Sequence, residues 1–251
     1  FRIDQPLIYV IRSEYESALY GAAYKPIESL LFVPITFLSV VFPVLAVYHR
    51  ERPKEMIEAV NRFYKALFLM GCPTAIGIFV LAHPLTPLLL GHDFTRSEPA
   101  LRVLALALGI GFVNNAFIGA LNASDRQASF TWAAAWSLVA NLALNLTLIP
   151  LFGYQGASWA TVATELVLGI AGWILVRRHV GRVPVVALSW RVLAAGLVMG
   201  LAIYPLSGLN GIAVLIPIAA GAVVYAVAAV LLRAVTRDEI AWARRALLVA
   251  R

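Results

Sequence analysis

Asn141, Asn145, Thr161 and Glu165 are the polar side chains whose spacing says most about chemistry. Asn141 and Asn145 are four residues apart, as are Thr161 and Glu165, so each pair shares one face of a helix. The pairs lie symmetrically about Gly153, at eight and twelve residues on either side. In an antiparallel hairpin turning at Gly153, a rise of about 1.5 Å per residue puts both pairs roughly 12–18 Å below the turn. Their oxygen atoms suit a hard cation such as Na⁺, or a proton on Glu165. The alternative is that they only hydrogen-bond the two helices together.

Other polar residues also fall within apolar stretches. Arg2 and Asp4 lie two residues apart in residues 1–11 and predict either a water-filled cavity or a position at the membrane edge. Asn115 and Asn122, with Asn114 beside them, either line a cavity or bond a neighbouring helix. Intramembrane polar groups are costly, so each is a candidate for function.

The elements that must position these residues are long apolar segments, and the chain is predicted to be an all-α, polytopic membrane protein. Only 13% of its 251 residues are charged, and the mean hydropathy is +0.84. A helix needs about 20 apolar residues to cross the hydrocarbon core. Residues 1–11 are predicted to be the tail of a further span, so the chain is expected to be a fragment. The complete spans are predicted at 26–48, 63–90, 99–121, 130–152, 156–176, 187–206 and 210–232.

The basic residues give the orientation. Lys and Arg are concentrated in residues 49–65, then at Arg126, then in 177–191 and in the tail 233–251, that is, in every second connection. Segments such as 152–156 and 207–211 contain none. This alternation predicts that the basic connections are cytoplasmic. The net charge of +7 therefore reflects membrane topology, and no nucleic-acid partner is expected.

Enzymatic and metal chemistry is not indicated. Cys72 is the single cysteine, and none of the four histidines has metal-ligand spacing with another His, Cys or carboxylate. No nucleophile triad, phosphate-binding glycine loop or HExxH motif is present. We expect a protein that is not an enzyme, with no cofactor beyond a coupling Na⁺ or H⁺. Tyr15, Tyr20 and Tyr24 are predicted to lie at a membrane interface.

Several segments together resemble a known family, the Wzx-like bacterial polysaccharide flippases of the multidrug/oligosaccharidyl-lipid/polysaccharide exporter superfamily. The resemblance covers roughly residues 1–180. Its motifs are Arg2/Asp4, Tyr20-Gly21-Ala22-Ala23-Tyr24, Pro43-Val44-Leu45-Ala46, and NLALNLTLIPLFGYQGASWATVATE at 141–165. It implies the carboxyl-terminal lobe of a MATE-like, two-lobed transporter at 1–180, two extra spans at 181–232, and a basic cytoplasmic tail at 233–251.

The resemblance implies a multi-pass protein of the bacterial inner membrane. Such a protein moves an undecaprenyl-diphosphate oligosaccharide between leaflets by alternating access, for surface polysaccharides such as lipopolysaccharide or exopolysaccharide. Expected partners are that lipid-linked oligosaccharide, membrane lipids, and polysaccharide polymerase and glycosyltransferase proteins. The alternatives are an ion-coupled multidrug or small-metabolite exporter of the same fold, and, in another class, a membrane scaffold or a glycan ligase.

The resemblance also implies roles for individual residues. The lipid II flippase branch has a sodium site, whose places are taken here by Asn141, Asn145, Thr161 and Asp4. Asn145 stands where that branch has a carboxylate, and we infer that Glu165 supplies the missing charge. Asp4 and cationic side chains in the central cavity would meet a diphosphate or acidic sugar. The cationic candidates are Arg2, Arg12 and Lys25, of which the last two could instead anchor at the outer surface.

Overall fold

A computed structural model of the chain describes residues 3–235, and this part folds as an all-helical bundle. Its α-helices are α1 (Asp4–Ile11), α2 (Glu14–Glu51), α3 (Pro53–Leu90), α4 (Glu98–Ala123), α5 (Gln127–His179), α6 (Val185–Ile203) and α7 (Leu215–Leu231). Short 3₁₀ turns occupy His92–Ser97, Tyr204–Leu206 and Gly211–Val214.

The predicted number of complete spans is confirmed. Six helices in the described residues are long and apolar enough to cross a membrane. The longest, α5, is 53 residues and is broken at Gly153, so it supplies two of the seven crossing segments. The chain is a multi-pass membrane protein. Observed helices extend past several predicted ends, most of all α2, which begins twelve residues before the predicted span.

The break in α5 creates the helical hairpin that the spacing predicts. Gly153 has φ +60° and ψ −142°, a conformation open to glycine and strained for other residues. Pro150 precedes it and lacks the backbone N–H of a helix interior. The residues before and after the break, 127–152 and 154–179, are called here the first and second arms of α5. Asn141 of the first arm donates to Thr164 of the second, so the arms run side by side.

Helix α4 lies at the centre of the bundle. In its apolar window 67% of the residues are buried by the protein itself, against 11% in that of α2. It packs against α2, α3 and α5. Its own buried leucine, alanine and phenylalanine side chains are spread around the helix, which is typical of an enclosed helix. This central position lets polar groups on α4 meet those on α5.

Helices α6 and α7 pair with each other and pack against α3. Cys72 lies in this interface beside Val192 and Ala195, where it is a small buried packing residue. The Tyr225 hydroxyl donates to the carbonyl oxygen of Leu69 at 2.9 Å. The pair therefore adds to the outside of the bundle beside α3.

Candidate functional site

The site forms where the short helix α1 meets α2 and the hairpin of α5. The α1–α2 corner is held by two serines: Ser13 accepts the backbone N–H of Glu16 at the start of α2, and Ser17 donates to the Gln5 carbonyl oxygen at 3.1 Å. This corner turns the polar face of α1 inward. As a result Asp4 is only 3% exposed, although it carries a carboxyl group.

Three neutral side chains from two other helices donate to the Asp4 carboxyl group. Asn145 Nδ2 lies 2.7 Å from Oδ1, and the Tyr20 hydroxyl lies 2.9 Å from Oδ2. Thr161 Oγ1 is 3.2 Å from Oδ2 and 3.1 Å from the Tyr20 oxygen. Three donors stabilise the ionised form by hydrogen bonding, because each bond to a charged acceptor is stronger than one between neutral groups. The structure thus brings one carboxylate into a polar group within apolar helices.

The group has more acceptors than its donors can satisfy. Asn145 Nδ2 lies within 3.0 Å of three oxygens, namely Asp4 Oδ1, the Asn141 carbonyl and Asn141 Oδ1. An amide nitrogen has only two hydrogens, so at least one of these three oxygens receives no full hydrogen bond from it. Asn145 is fully buried, and its own Oδ1 has no hydrogen-bond partner. Convergent oxygens of this kind suit a hard monovalent cation, which coordinates carboxylate, amide and hydroxyl oxygens.

Three of the four residues in the predicted hairpin cluster join Asp4, and the fourth does not. Asn145 and Thr161 contact the Asp4 carboxylate directly, and Asn141 contacts Asn145. The Glu165 carboxylate instead accepts from Asn114 Nδ2 of α4, at 2.7 Å. The inference that Glu165 supplies the missing charge beside Asn145 therefore finds no support in these contacts. The charge nearest Asn145 comes from Asp4.

Beside Asp4 lies a cavity of about 410 Å³. Lys25 is one of its lining residues and lies eleven residues into α2, roughly 17 Å from the start of that helix. It lies one residue before the predicted span of 26–48, on the part of α2 that lines the cavity. The charged and aromatic residues of the lining are Asp4, Tyr20, Tyr24, Lys25, Glu28 and Phe94.

The other two cationic candidates are placed differently. Arg12 lies at the tip of the α5 hairpin, where its Nε donates to the Ile149 carbonyl oxygen at 3.2 Å and lies 4.0 Å from Glu16. It is not among the residues that line the cavity, so its contacts indicate a structural role at the hairpin tip. Arg2 lies outside the described residues.

Tyr20 and Thr164 are the participants that sequence reasoning missed. Tyr20 was predicted at a membrane interface, and this was wrong: the residue is 2% exposed and bonds Asp4. Its position on α2 four residues before Tyr24 gave no sign of a partner in α1. Thr164 accepts from Asn141 Nδ2 at 3.1 Å. Within residues 3–235 no group of three or more His, Cys, Asp or Glu could hold a metal ion.

The chain is similar to known flippases. The family model described as lipid II flippase MurJ matches residues 28–234. A probable low-salt glycan biosynthesis flippase, Agl15, from Haloferax volcanii is 24% identical over 160 residues, which are 63% of this chain and 34% of that protein. A solved structure of lipid II flippase MurJ in an inward closed conformation superposes with a TM-score of 0.79. The two sequences are 17% identical, and the superposed part is 92% of this chain and 51% of the solved MurJ chain.

These comparisons confirm the expected superfamily and fold, and the chain spans about a third of the curated relative and half of the solved protein. The narrower resemblance to Wzx-like polysaccharide flippases stays a prediction. Because the family model covers well over half of the residues, the chain belongs to the lipid II flippase MurJ family.

Proposed function

We propose that the chain forms one lobe of a transporter that moves a lipid-linked glycan from the inner to the outer leaflet of the bacterial inner membrane. The observation that carries the proposal is the buried Asp4 carboxylate, which is held by neutral donors next to a cavity. Family membership and the relatives' names support the cargo class.

In this proposal Asp4, Asn141, Asn145 and Thr161 hold the coupling cation. Asp4 offers one negative charge, which matches a monovalent ion, and the unpartnered Asn145 Oδ1 offers an additional neutral oxygen. Na⁺ fits this donor set better than a transition metal does, because all the candidate ligands are oxygens. Bound Na⁺ would neutralise Asp4. It would therefore change the free-energy difference between the state in which these helices are packed and any state in which they separate.

The cavity beside Asp4 is the proposed contact surface for the cargo. Lys25 and Glu28 are exposed in this chain and both line the cavity. Charged groups are costly among lipid tails. Their side chains therefore need a polar environment, which a second lobe across the cavity would enclose. Lys25 is then the cation that meets the diphosphate of the cargo. Arg2 remains a further candidate from sequence.

Two cargoes share this diphosphate chemistry. One is lipid II, which the family's description names. The other is an undecaprenyl-diphosphate oligosaccharide for surface polysaccharide, which the sequence resemblance implies. The family match favours the first. Polymerase and glycosyltransferase proteins are proposed as partners in either case, because they consume or supply such a lipid.

The test is a leaflet-transfer assay with the purified native protein in proteoliposomes. A fluorescent polyprenyl-diphosphate oligosaccharide is loaded, and its accessibility to an external quencher is followed with Na⁺ or with K⁺ at equal ionic strength. We expect transfer with Na⁺ and a loss of at least tenfold in Asp4→Asn. Equal transfer by wild type and Asp4→Asn would overturn the proposal, as would transport of small drugs without any glycan lipid.

An experiment in cells distinguishes the two cargoes. Lysis on depletion of the protein would indicate lipid II, whereas normal growth with loss of surface glycan would indicate the polysaccharide precursor.

A further inference from the structure

Glu165 is a second intramembrane carboxyl group, and it is separate from the Asp4 cluster. It lies on the second arm of α5, twelve residues from the hairpin tip and so about 18 Å below it. Its side-chain partner is Asn114 on the central helix α4, whose Nδ2 is 2.7 Å from Glu165 Oε2 and 3.0 Å from the Glu165 carbonyl oxygen. One amide group thus hydrogen-bonds both the backbone and the side chain of Glu165.

The Asn114 amide has a defined orientation that leaves its oxygen unpartnered. Asn114 is 3% exposed, and its Oδ1 has no hydrogen-bond partner in the described residues. Gly169, one turn beyond Glu165, makes room for this oxygen, because a Cβ at Gly169 would lie 2.7 Å from Oδ1. The nitrogen is therefore turned toward Glu165 and the oxygen away from it.

Few charged side chains lie on α4 and on the first arm of α5. The first arm of α5 has no titratable residue. On α4 the charged residues are Glu98 and Arg102, which bond each other at 2.6 Å near the outer end. No cation among the described residues forms an ion pair with Glu165. The titratable groups of α1 and α2 that line the cavity beside Asp4 are Asp4, Tyr20, Tyr24, Lys25 and Glu28.

An ionised carboxylate in these surroundings would be poorly compensated. Asn114 supplies one neutral hydrogen bond to the carboxyl group, whereas Asp4 receives three. Glu165 is partly buried among apolar helices. An unpaired charge is costly in such surroundings, and a carboxyl group avoids that cost by taking up a proton. A protonated Glu165 keeps the Asn114 bond at Oε2 and leaves Oε1 as the hydroxyl oxygen.

We propose that Glu165 and Asn114 form a proton-binding site between α4 and the second arm of α5, distinct from the cation site at Asp4. A chain of hydrogen bonds links the two sites: Asp4 to Asn145, Asn145 to Asn141, and Asn141 to Thr164, the residue before Glu165. Thr161 and Glu165 are one turn apart, about 6 Å along the helix axis. The occupancy of one site thus alters the helix that forms the other.

The use of this proton in transport rests on the proposed function, but its presence can be measured without transport. Infrared difference spectroscopy of the purified native protein at neutral pH distinguishes a protonated carboxyl group, through its C=O stretching band, from a carboxylate. We expect such a band in wild type and its loss in Glu165→Gln. The matched control Asp4→Asn should retain the band. Transfer to D₂O should shift it, because the proton exchanges.

Asn114→Ala provides a second test that does not remove the carboxyl group. Losing the amide donor to Oε2 should shift the band to higher frequency. A wild-type minus Glu165→Gln spectrum that contains carboxylate bands alone would overturn the proposal, as would an Asn114→Ala spectrum identical to wild type. Sodium-dependent thermal stabilisation, measured on the same samples, reports on Asp4. Loss of that stabilisation with the infrared band intact would count against the proposed function and leave this site standing.

Discussion

Asn145→Asp gives the sharpest perturbation of the proposed cation site. The substitution is almost isosteric, and it replaces the nitrogen 2.7 Å from Asp4 Oδ1 with a carboxylate oxygen. Without a cation, two carboxylates then face each other in a fully buried position. With Na⁺ bound, the second carboxylate becomes a ligand. We therefore expect the variant to be less stable than wild type without Na⁺ and more responsive to it.

The magnitude follows from Coulomb's law. Two unit charges about 4 Å apart repel by about 4 kcal/mol at an effective dielectric constant of 20. A cation at a similar distance from the added charge gains an attraction of the same order. Each 1.4 kcal/mol corresponds to a factor of about ten in affinity, so even part of this attraction raises the Na⁺ affinity at least tenfold.

The assay is thermal unfolding of the detergent-solubilised native protein, titrated with Na⁺ against K⁺ at constant ionic strength and mildly alkaline pH. Asn115→Asp is the matched control, because Asn115 bonds the Gly111 carbonyl oxygen on α4 and is not one of the hydrogen-bond partners of Asp4 in the described residues. It should lose stability without gaining a Na⁺ response. The reasoning is refuted if Asn145→Asp and wild type have the same Na⁺ midpoint, or if both variants respond alike.

Three further substitutions test neighbouring contacts. Tyr20→Phe removes the hydroxyl that donates to Asp4 and should cost about 1.5–3 kcal/mol of unfolding free energy, measured by denaturation; no measurable change would contradict the hydrogen bond at 2.9 Å. Gly153→Ala forces a Cβ onto the Glu16 carboxylate at φ +60° and should cost about 1–3 kcal/mol, with wild-type thermal stability counting against the strained turn. Lys25→Gln should reduce glycan-lipid transfer at least tenfold with the Na⁺-dependent thermal shift intact, and a joint loss of both would assign Lys25 to folding.

The depth of the polar hairpin residues could be predicted from sequence because it depends on local geometry alone. Counting residues from Gly153 matched Asn145 with Thr161, and both contact the same carboxylate in the structure. A helix has one rise per residue whatever packs around it. The same reasoning gave the number of spans, since apolar length is a property of each segment.

The partners supplied by other helices could not be predicted in the same way. Asp4 and Tyr20 reach the hairpin because α1 folds back on α2 at Ser13, and that packing is a long-range contact. Glu165 shows that two residues four apart on a helix do not always contact the same group. Four residues advance a helix by about 400°, so Glu165 is rotated roughly 40° from Thr161. That rotation, with the space at Gly169, turns Glu165 toward Asn114 on α4.

The central claim is that the buried Asp4 carboxylate binds a monovalent cation, and equilibrium binding of radioactive Na⁺ to the purified native protein tests it most directly. The account predicts saturable binding by wild type that unlabelled Na⁺ displaces and K⁺ does not, and its loss in Asp4→Asn with Glu165→Gln unaffected. Saturable binding of equal stoichiometry in wild type and Asp4→Asn would contradict the account.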